Sequence, residues 1–339
     1  MAELRERPTV VLAMAPALTP DLFSSAQRDR LTTLCHLPDP HPLQRFDDER
    51  ATGLLAQADV LLTGWGCPRI DASVLARAPS LRAIIHAAGT VKGHVDTAVW
   101  ARGVRVSTAA AANAVPVAEY TVAAIVFANK RIFRLQRLYY AARGFRLWPR
   151  QVPDLGNHER TIGLVGASRI GRLVIERLRP FDFQVLVQDP FLTSDEAARL
   201  GVERVSLDDL VARADVVSLH APSLPETHHL LDARRLALMR DGAVVINTAR
   251  GALVDMDALT RELVSGRLDA VLDVTEPEVL PKESPLYDLP NVWLTPHVAG
   301  ALGRETQRMA DLALSELARY VRGEPFEHEV RVDDLARIA

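Results

Sequence analysis

Cysteine is almost absent from this chain. The 339 residues include two cysteines, Cys35 and Cys67, and neither belongs to a paired spacing that would indicate a metal or redox site. This usage excludes the disulfide framework of a small secreted protein. We therefore expect a cytoplasmic protein whose function requires no bound metal.

Lysine is also scarce. Only three of the 40 basic residues are lysine, so the other 37 are arginines, and they are scattered along the chain. With 43 acidic residues the formal net charge is -3, which creates no overall field that would attract nucleic acid or an anionic membrane. We expect no nucleic-acid partner, because such partners require a clustered basic patch.

Long apolar runs are missing as well. No stretch reaches the roughly 18 apolar residues that a membrane span requires, so we expect no membrane association. The start of the chain superficially resembles a signal peptide, but Glu3 and Glu6 interrupt its basic part and Pro16 interrupts its apolar part. We expect a buried first strand there instead.

What the sequence does contain is a regular alternation of short apolar, β-rich runs with helical patterns, which predicts parallel βαβ units and an α/β fold. A first block has candidate strands at residues 10–14, 60–62, 82–86 and 104–107. A second block opens with ERTIGLVGASRIGRLVIERLRPFDFQVLVQDP and continues with strands at residues 216–219, 243–247, 270–273 and 292–294. The length and the two blocks predict two domains.

Two long helical patterns border the second block. Residues 116–140 contain no internal glycine or proline, and Pro116 suits a first helical turn. This helix is either a core helix or a dimerisation helix. An amphipathic pattern over residues 304–321 predicts a last helix that returns to the first domain. We therefore predict a discontinuous first domain, residues 1–105 plus 300–339, and a second domain, residues 106–299.

The first turn of the second block carries a partial dinucleotide-binding fingerprint. The frame GxGxxG is filled by Gly166, Ala167, Ser168, Arg169, Ile170 and Gly171, so a serine replaces the middle glycine. The helix that follows can still bind a pyrophosphate at its N-terminus. Asp189 lies 18 residues after Gly171, where a carboxylate binds ribose hydroxyls and repels a 2′-phosphate. We expect NAD as cofactor, although Asp189 before Pro190 is also compatible with simple turn chemistry.

Five segments together resemble the D-isomer-specific 2-hydroxyacid dehydrogenase family. They read TIGLVGASRIGR, VVSLHAPSLPETHHLL, GAVVINTARGALVD, AVLDVTEPEVLP and NVWLTPHVAG, in the family's order. The resemblance implies an α/β fold with two doubly wound parallel sheets, a Rossmann NAD-binding domain inserted into a flavodoxin-like substrate domain. It also implies a homodimeric, NAD-dependent enzyme that interconverts 2-keto acids and D-2-hydroxy acids. The further cofactor-binding residues that it implies are Pro222, Thr227, Thr248 and Asp273, the last of which could instead only cap a turn.

Three residues in these segments carry the expected chemistry. Arg250 follows a buried strand, and its planar guanidinium can hold a substrate carboxylate and polarise the adjacent carbonyl. His297 also follows a strand, and a protonated imidazole can donate to the oxygen that becomes negative when hydride reaches the keto carbon. Glu278 would stabilise that imidazolium. Because Val279 stands where the family usually has proline, Glu276 remains an alternative partner of His297.

The resemblance is loosest in the first domain. The segment HAAGTVKG is similar to the family's substrate loop, in which amides near Gly89, Thr90 and Val91 would bind the carboxylate. Trp65 and Trp148 could line a substrate pocket or lie on the surface.

Two other functions remain alternatives on the same fold: an NAD-sensing binding protein without catalysis, and a dehydrogenase that oxidises formate or a phosphonate. The formate alternative is weaker, since Glu278 suits a proton transfer that formate oxidation does not need.

Overall fold

The computed structural model describes residues 7–144, 146–147, 150, 152 and 154–336. Glu3, Glu6 and Trp148 lie outside these residues. The chain divides into two compact units, one of which comprises Met1–Asn113 and Ala301–Ile338 while the other comprises Ala114–Gly300. The predicted boundaries lie after residues 105 and 299, whereas these units meet after Asn113 and after Gly300. The first limit differs because the end of the last strand of the first sheet and the residues that follow it belong to the first unit.

The first unit contains a four-stranded parallel sheet. Its strands are β1 (Val10–Ala13), β2 (Val60–Thr63), β3 (Ala83–His86) and β4 (Arg105–Thr108), in the order β1-β2-β3-β4. Extended residues also pair with the outer edge of β1, where His36 bridges Thr9 and Leu43 bridges Ala13. This position is that of the second strand in the flavodoxin-like order 2-1-3-4-5. The structure thus confirms the flavodoxin-like prediction.

Short helices connect these strands. They are α1 (Thr19–Leu22), α2 (Ser25–Leu34), α3 (Glu49–Leu55), α4 (Ala72–Arg77) and α5 (Ala98–Ala101). The side chains of Ser24, Asp48 and Asp71 accept backbone N–H groups from the first turns of α2, α3 and α4. These caps satisfy amides that have no partner within a helix. These three helices begin where their sequences supply such a cap, whereas α1 and α5 begin without a side-chain cap.

The second unit contains a seven-stranded parallel sheet. Its strands are β5 (Thr161–Val165), β6 (Gln184–Gln188), β7 (Glu203–Arg204), β8 (Val216–Leu219), β9 (Val244–Asn247), β10 (Asp269–Leu272) and β11 (Val292–Leu294). The order is β11-β10-β9-β8-β5-β6-β7, which is the Rossmann order with one more strand at an edge. The order reverses between β5 and β8, and ligands bind outside the carboxyl ends of strands at such a reversal. The fold therefore places the candidate site at this edge of the sheet.

The helices that accompany this sheet are α6 (Ala110–Asn129), α7 (Ile132–Ala142), α8 (Arg169–Leu178), α9 (Ser194–Leu200), α10 (Leu207–Arg213), α11 (Ala233–Leu238) and α12 (Met256–Val264). The single helix predicted for residues 116–140 is wrong, because the structure has two. α6 begins before Pro116, which lies inside the helix. Arg131 then interrupts the chain with a φ of 52°, a left-handed conformation that a right-handed helix cannot contain.

α6 is long and apolar enough to cross a membrane by length and composition, contrary to the expectation from the sequence. The core helix of a soluble protein meets the same two criteria. Ala118, Ala124, Ile125 and Ala128 of α6 are buried in one hydrophobic cluster with residues of β5, β8 and β9. These contacts are those of a helix that packs against a sheet.

The last helix, α13 (Thr306–Val321), belongs to the first unit. The side-chain amide of Gln27 in α2 donates to the carboxylate of Asp311 and to the carbonyl of Gln307, both at 2.9 Å. The predicted start at residue 304 is two residues early, because Gly303–Glu305 forms a separate 3-10 turn. The helix buries Met309 and Leu317, two positions of its predicted apolar face.

Candidate active site

Two glycines shape the turn between β5 and α8. Gly166 has a φ of +105°, and a Cβ atom there would lie 2.8 Å from the backbone nitrogen of Ala221. A Cβ atom at Gly171 would lie 2.1 Å from the carbonyl oxygen of Gly166. Both positions therefore require glycine, and the turn leads directly into the N-terminus of α8, which attracts anionic groups such as a pyrophosphate.

Ser168 occupies the middle position of the fingerprint as the N-cap of α8. Its φ of -63° is one that any residue adopts, and its hydroxyl accepts a hydrogen bond from the backbone N–H of Gly171 at 3.4 Å. Arg169 and Ile170 form the first turn beside it, with Arg169 exposed and Ile170 half-buried. The serine thus caps the helix without changing the path of the chain, and the helix N-terminus is retained.

Asp189 follows β6 directly and is held by two backbone amides. Its Oδ2 accepts the N–H of Ala167 at 2.7 Å, and its Oδ1 accepts the N–H of Phe191 at 2.8 Å. The carboxylate is therefore tied to the glycine turn. Since an ionised carboxyl group has about four lone-pair positions, the two amides leave acceptor capacity for ribose hydroxyls.

Three further predicted cofactor residues lie in the loops after β8 and β9. The hydroxyl of Thr227 donates to the carbonyl of Pro222 at 2.6 Å and accepts the N–H of Leu224 at 2.8 Å. Thr248 is buried, and its hydroxyl pairs with that of Thr121 in α6 at 3.2 Å. The hydroxyl of Thr227 thus shapes its own loop, whereas that of Thr248 links its loop to α6. The contact of these residues with a cofactor stays a prediction.

Arg250 is positioned by the loop after β9. The side chain of Asn247 donates to the carbonyl of Arg250 at 2.8 Å and accepts the N–H of Ala249 at 3.0 Å. A Cβ atom at Gly251 would lie 2.1 Å from the carbonyl oxygen of Thr275, so this loop packs closely against the loop after β10. Burial lowers the pKa of the Arg250 guanidinium, and the negative charge of Glu278 opposes that shift.

The loop after β11 brings His297 to a carboxylate. Nδ1 of His297 lies 2.6 Å from Oε1 of Glu278, and both side chains are about half exposed. Glu276, the alternative partner, instead has its carboxylate beside His228 and His229. The structure thus pairs His297 with Glu278 and leaves Nε2 of the ring for proton exchange.

The carboxylate of Asp273 fixes the loop after β11 by hydrogen bonds to its backbone. The residue is 2% exposed, and its Oδ1 accepts the N–H of Val298 at 2.8 Å while its Oδ2 accepts that of Ala299 at 2.9 Å. His297 itself has a φ of 55°, a conformation that non-glycine residues keep only when their surroundings impose it. The structure gives Asp273 a positioning role for His297, and its contact with the nicotinamide stays a prediction.

Tyr120 is a site residue that the sequence reasoning missed. Its phenol lies 2.7 Å from the hydroxyl of Thr295, and that hydroxyl donates to Oδ1 of Asp273 at 2.6 Å. Tyr120 therefore donates to Thr295, and the chain of hydrogen bonds links α6 to the His297 loop. Burial raises the pKa of Tyr120, and the charge of Asp273 adds to that shift. No local motif marks this tyrosine, because its partner is 175 residues away.

The predicted substrate loop lies in the first unit, directly after β3. Gly89 and Thr90 are half-buried and Val91 is buried. The hydroxyl of Thr108 donates to the carbonyl of Ala88 at 3.0 Å and also to that of Gly89. This contact fixes the bend, and carboxylate binding by the amides of this loop stays a prediction.

The second unit thus offers the features that an NAD molecule requires. The glycine turn and the N-terminus of α8 fit the pyrophosphate, because a side chain at Gly166 or Gly171 would collide with backbone atoms. Asp189 fits the adenosine ribose, and its charge disfavours the 2′-phosphate of NADP. The fold and these residues define a dinucleotide-binding protein.

Comparison with known proteins identifies the family. Residues 122–299, more than half of the chain, match the model of the D-isomer specific 2-hydroxyacid dehydrogenase, NAD binding domain. The chain belongs to the D-isomer specific 2-hydroxyacid dehydrogenase family. Its second unit contains the family's NAD-binding domain, and NAD is the cofactor that the family model indicates.

Relatives and solved structures support this assignment. D-3-phosphoglycerate dehydrogenase of Mycobacterium leprae is 38% identical over 316 residues, which cover 89% of this chain and 57% of that protein. Glyoxylate reductase of Thermofilum pendens is 37% identical over 262 residues, which cover 76% of each chain. The crystal structure of the TT0316 protein from Thermus thermophilus is 33% identical with a TM-score of 0.74, and covers 95% of this chain and 100% of its own. This chain spans 57% or less of the length of the mycobacterial phosphoglycerate dehydrogenases that it matches.

Proposed function

We propose that this protein is an NAD-dependent oxidoreductase that interconverts a small 2-keto acid and the corresponding D-2-hydroxy acid. The observation that carries the proposal is the pair formed by His297 and Glu278, 2.6 Å apart. Arg250 follows a strand end of the same sheet edge. In such a reaction the bound cofactor supplies or accepts the hydride at the carbon that bears the oxygen.

His297 exchanges the proton of the substrate oxygen. Its Nδ1 is engaged by Glu278, so Nε2 donates a proton during reduction and accepts one during oxidation. The carboxylate of Glu278 fixes the ring orientation and stabilises the imidazolium form. The pair therefore holds Nε2 in a defined orientation for proton exchange with the substrate oxygen.

Arg250 orients the substrate. Its forked guanidinium can bind a carboxylate and polarise the neighbouring carbonyl, which a lysine would do less specifically. The group is partly buried, and an ion pair is stronger where water is excluded. Arg250 thus aligns the keto carbon and increases its reactivity.

The proposed substrate class rests on the positive charge of Arg250, which suits a carboxylate, and on the names of the relatives. One matching protein is a glyoxylate reductase and another is a D-3-phosphoglycerate dehydrogenase. Glyoxylate, hydroxypyruvate and pyruvate are therefore the first substrates to assay, followed by phenylpyruvate and bulkier keto acids. Asp189 supports NADH over NADPH.

The experiment that tests the proposal separates turnover from cofactor binding. Wild-type protein and His297→Ala are assayed for NADH oxidation with the keto-acid panel, and NADH binding is followed by its fluorescence. We expect the substitution to reduce turnover by about 100-fold or more, as for loss of a general acid, while NADH affinity is unchanged. His158→Ala, an exposed histidine of the same unit, serves as the matched control.

Three outcomes would count against the proposal. Equal turnover by wild type and His297→Ala would remove His297 from the mechanism. NADH binding by the wild type without oxidation by any keto acid would favour an NAD-sensing protein, an alternative that the serine at position 168 and Val279 after Glu278 leave open. NADH formation from formate instead would indicate the formate-type reaction.

We also propose that the protein is a cytoplasmic homodimer without nucleic-acid or membrane partners. α7 buries none of its residues, although it carries Ile132, Tyr139 and Tyr140 as exposed apolar side chains. A second copy of the chain would cover them. The low net charge supports the absence of nucleic-acid and membrane partners. Cys35 and Cys67 are buried and form no disulfide, which supports a cytoplasmic location. Sedimentation equilibrium tests the dimer, and a monomer at micromolar concentration would refute it.

A further inference from the structure

A cluster of metal-ligating side chains lies outside the residues assigned to the reaction. It consists of His228, His229 and Glu276, one ligand atom of each lying within 4.8 Å of the others. In the part of the chain that the structure describes, this is the one such group of three. It lies in the second unit, between the loops that follow β8 and β10.

An unusual backbone conformation brings the two histidines together. Side chains of consecutive residues in extended chain point to opposite sides, but His229 has a φ of 51°. The two imidazole rings are stacked with their centroids 3.8 Å apart. A positive φ is uncommon for a residue with a side chain, and it is retained where the surroundings impose it.

Backbone contacts hold both loops in place. The N–H of His229 donates to the carbonyl of Ala252 at 2.8 Å, and two residues later Leu231 bridges Val254. The neighbouring Gly251 packs against the carbonyl of Thr275, the residue that precedes Glu276. The histidines and the glutamate are therefore presented by backbone segments that are fixed against one another.

We propose that His228, His229 and Glu276 bind a zinc ion. Two imidazole nitrogens and one carboxylate oxygen form a known zinc ligand set, with water in the remaining position. Zinc binds these atoms at about 2.0–2.2 Å, so ligand atoms of one tetrahedral site lie about 3.4 Å apart. Since the observed atoms lie within 4.8 Å of one another, zinc binding requires the side chains to rotate toward a common centre.

The donor set also selects the ion. Magnesium and calcium prefer sites made of oxygen atoms, whereas two imidazoles favour zinc and its transition-metal neighbours. His228 and Glu276 are exposed and His229 is half-buried, so an ion can reach the site from solvent. The three proposed ligands are not the residues assigned to the reaction, and zinc binding by them does not depend on the proposed reaction.

The test is a calorimetric titration of the chelator-treated 339-residue protein with zinc chloride. We expect one zinc ion per chain, no competition from excess magnesium, and an X-ray absorption spectrum with two imidazole ligands. His228→Ala and Glu276→Gln should each weaken binding by about tenfold or more, since even second-shell changes cost that much. His229→Asn is the third variant, because asparagine tolerates a positive φ.

His158→Ala and Glu283→Gln, two exposed residues of the same unit, are matched controls that should bind zinc as the wild type does. Circular dichroism verifies that each variant is folded. The proposal is overturned if the wild type has no stoichiometric zinc site, or if all three cluster variants bind zinc with the affinity of the controls. Keto-acid turnover plays no part in this readout, so failure of the zinc site and failure of the proposed reaction are distinguishable.

Discussion

The turn after β5 and the loop after β11 both belong to the carboxyl edge of the second sheet, yet they are held in different ways. The turn after β5 is fixed mainly within six residues, by the contact of Gly171 with Gly166 and by the Ser168 cap. The carboxylate of Asp189 and the backbone of Ala221 add two contacts from outside the turn. The loop after β11 is fixed by Asp273, which is 24 residues before His297 in the chain. The first arrangement is local and recognisable as a motif, whereas the second depends on distant residues.

The largest expected effect comes from removing the distant support. Asp273→Ala leaves two backbone amides and one hydroxyl without their acceptor, and hydrogen bonds to a charged group contribute about 1.5–3 kcal/mol each. We expect the free energy of unfolding to fall by about 3 kcal/mol, and keto-acid turnover to fall about 100-fold because His297 is displaced. Urea denaturation and steady-state kinetics measure the two effects. Asp273→Asn, which retains one acceptor oxygen, should lie between Asp273→Ala and the wild type in both stability and turnover. Wild-type turnover in Asp273→Ala would show that the loop keeps its conformation without Asp273.

A methyl group in the local turn should have the next largest effect. Gly171→Ala places a Cβ atom 2.1 Å from the carbonyl oxygen of Gly166, and such overpacking costs about 1–3 kcal/mol. NADH affinity, measured by fluorescence titration, should fall because the turn must move. Gly53→Ala in α3, where nothing lies within 4 Å of the added Cβ, is the control and should not destabilise the protein. Unchanged NADH affinity in Gly171→Ala would contradict the assignment of the turn.

A buried histidine behind the turn should make stability depend on pH. Burial lowers the pKa of His220 to about 4, whereas an unfolded histidine has a pKa of about 6.5. The unfolded chain therefore binds more protons between these values, and the free energy of unfolding rises with pH there, by about 1.5 kcal/mol between pH 5 and 6.5. His220→Gln should reduce the slope of the free energy of unfolding against pH relative to the wild type. A part of the slope should remain, because burial also lowers the pKa of His86, to about 3. Denaturation curves at several pH values test this, and parallel slopes for the two proteins would disprove it.

A smaller effect is expected at the far end of the hydrogen-bond chain. Tyr120→Phe removes the bond to Thr295, which is about 1 kcal/mol net. We expect turnover to fall about fivefold with NADH affinity unchanged, since Tyr120 supports the His297 loop and not the glycine turn. Tyr140→Phe, 65% exposed, is the control. A loss confined to NADH affinity would place Tyr120 in the cofactor site instead.

The smallest effect should follow from restoring the glycine fingerprint. Ser168→Gly removes a capping hydroxyl, and replacing a cap by glycine costs only a few tenths of a kcal/mol. Ser206→Gly at the N-cap of α10 should cost the same without any effect on NADH. If Ser168→Gly weakened NADH binding severalfold, the hydroxyl would have to contact the cofactor directly.

Most of the fold could be predicted because buried parallel strands are short apolar runs. The predicted strands at residues 60–62, 216–219 and 292–294 lie within one residue of β2, β8 and β11. The two exposed residues of β7 carry no such pattern. The break between α6 and α7 at Arg131 could not be predicted from the sequence either. The guanidinium of Arg131 is held by the carboxylate of Asp269 at 2.7 Å, and Asp269 is 138 residues away in the chain.

The residues of the candidate site also divide into those placed by local sequence and those placed by distant partners. The sequence by itself determined the glycine turn, Asp189 and the strand-end positions of Arg250 and His297, because each depends on neighbouring residues and on the alternation of strands and helices. Only the tertiary structure decided that Glu278 and not Glu276 reaches His297, that Asp273 and Tyr120 support the loop, and that His228, His229 and Glu276 meet. Such choices depend on the distances between loops that different strands deliver to one sheet edge, and a linear pattern contains no measure of those distances.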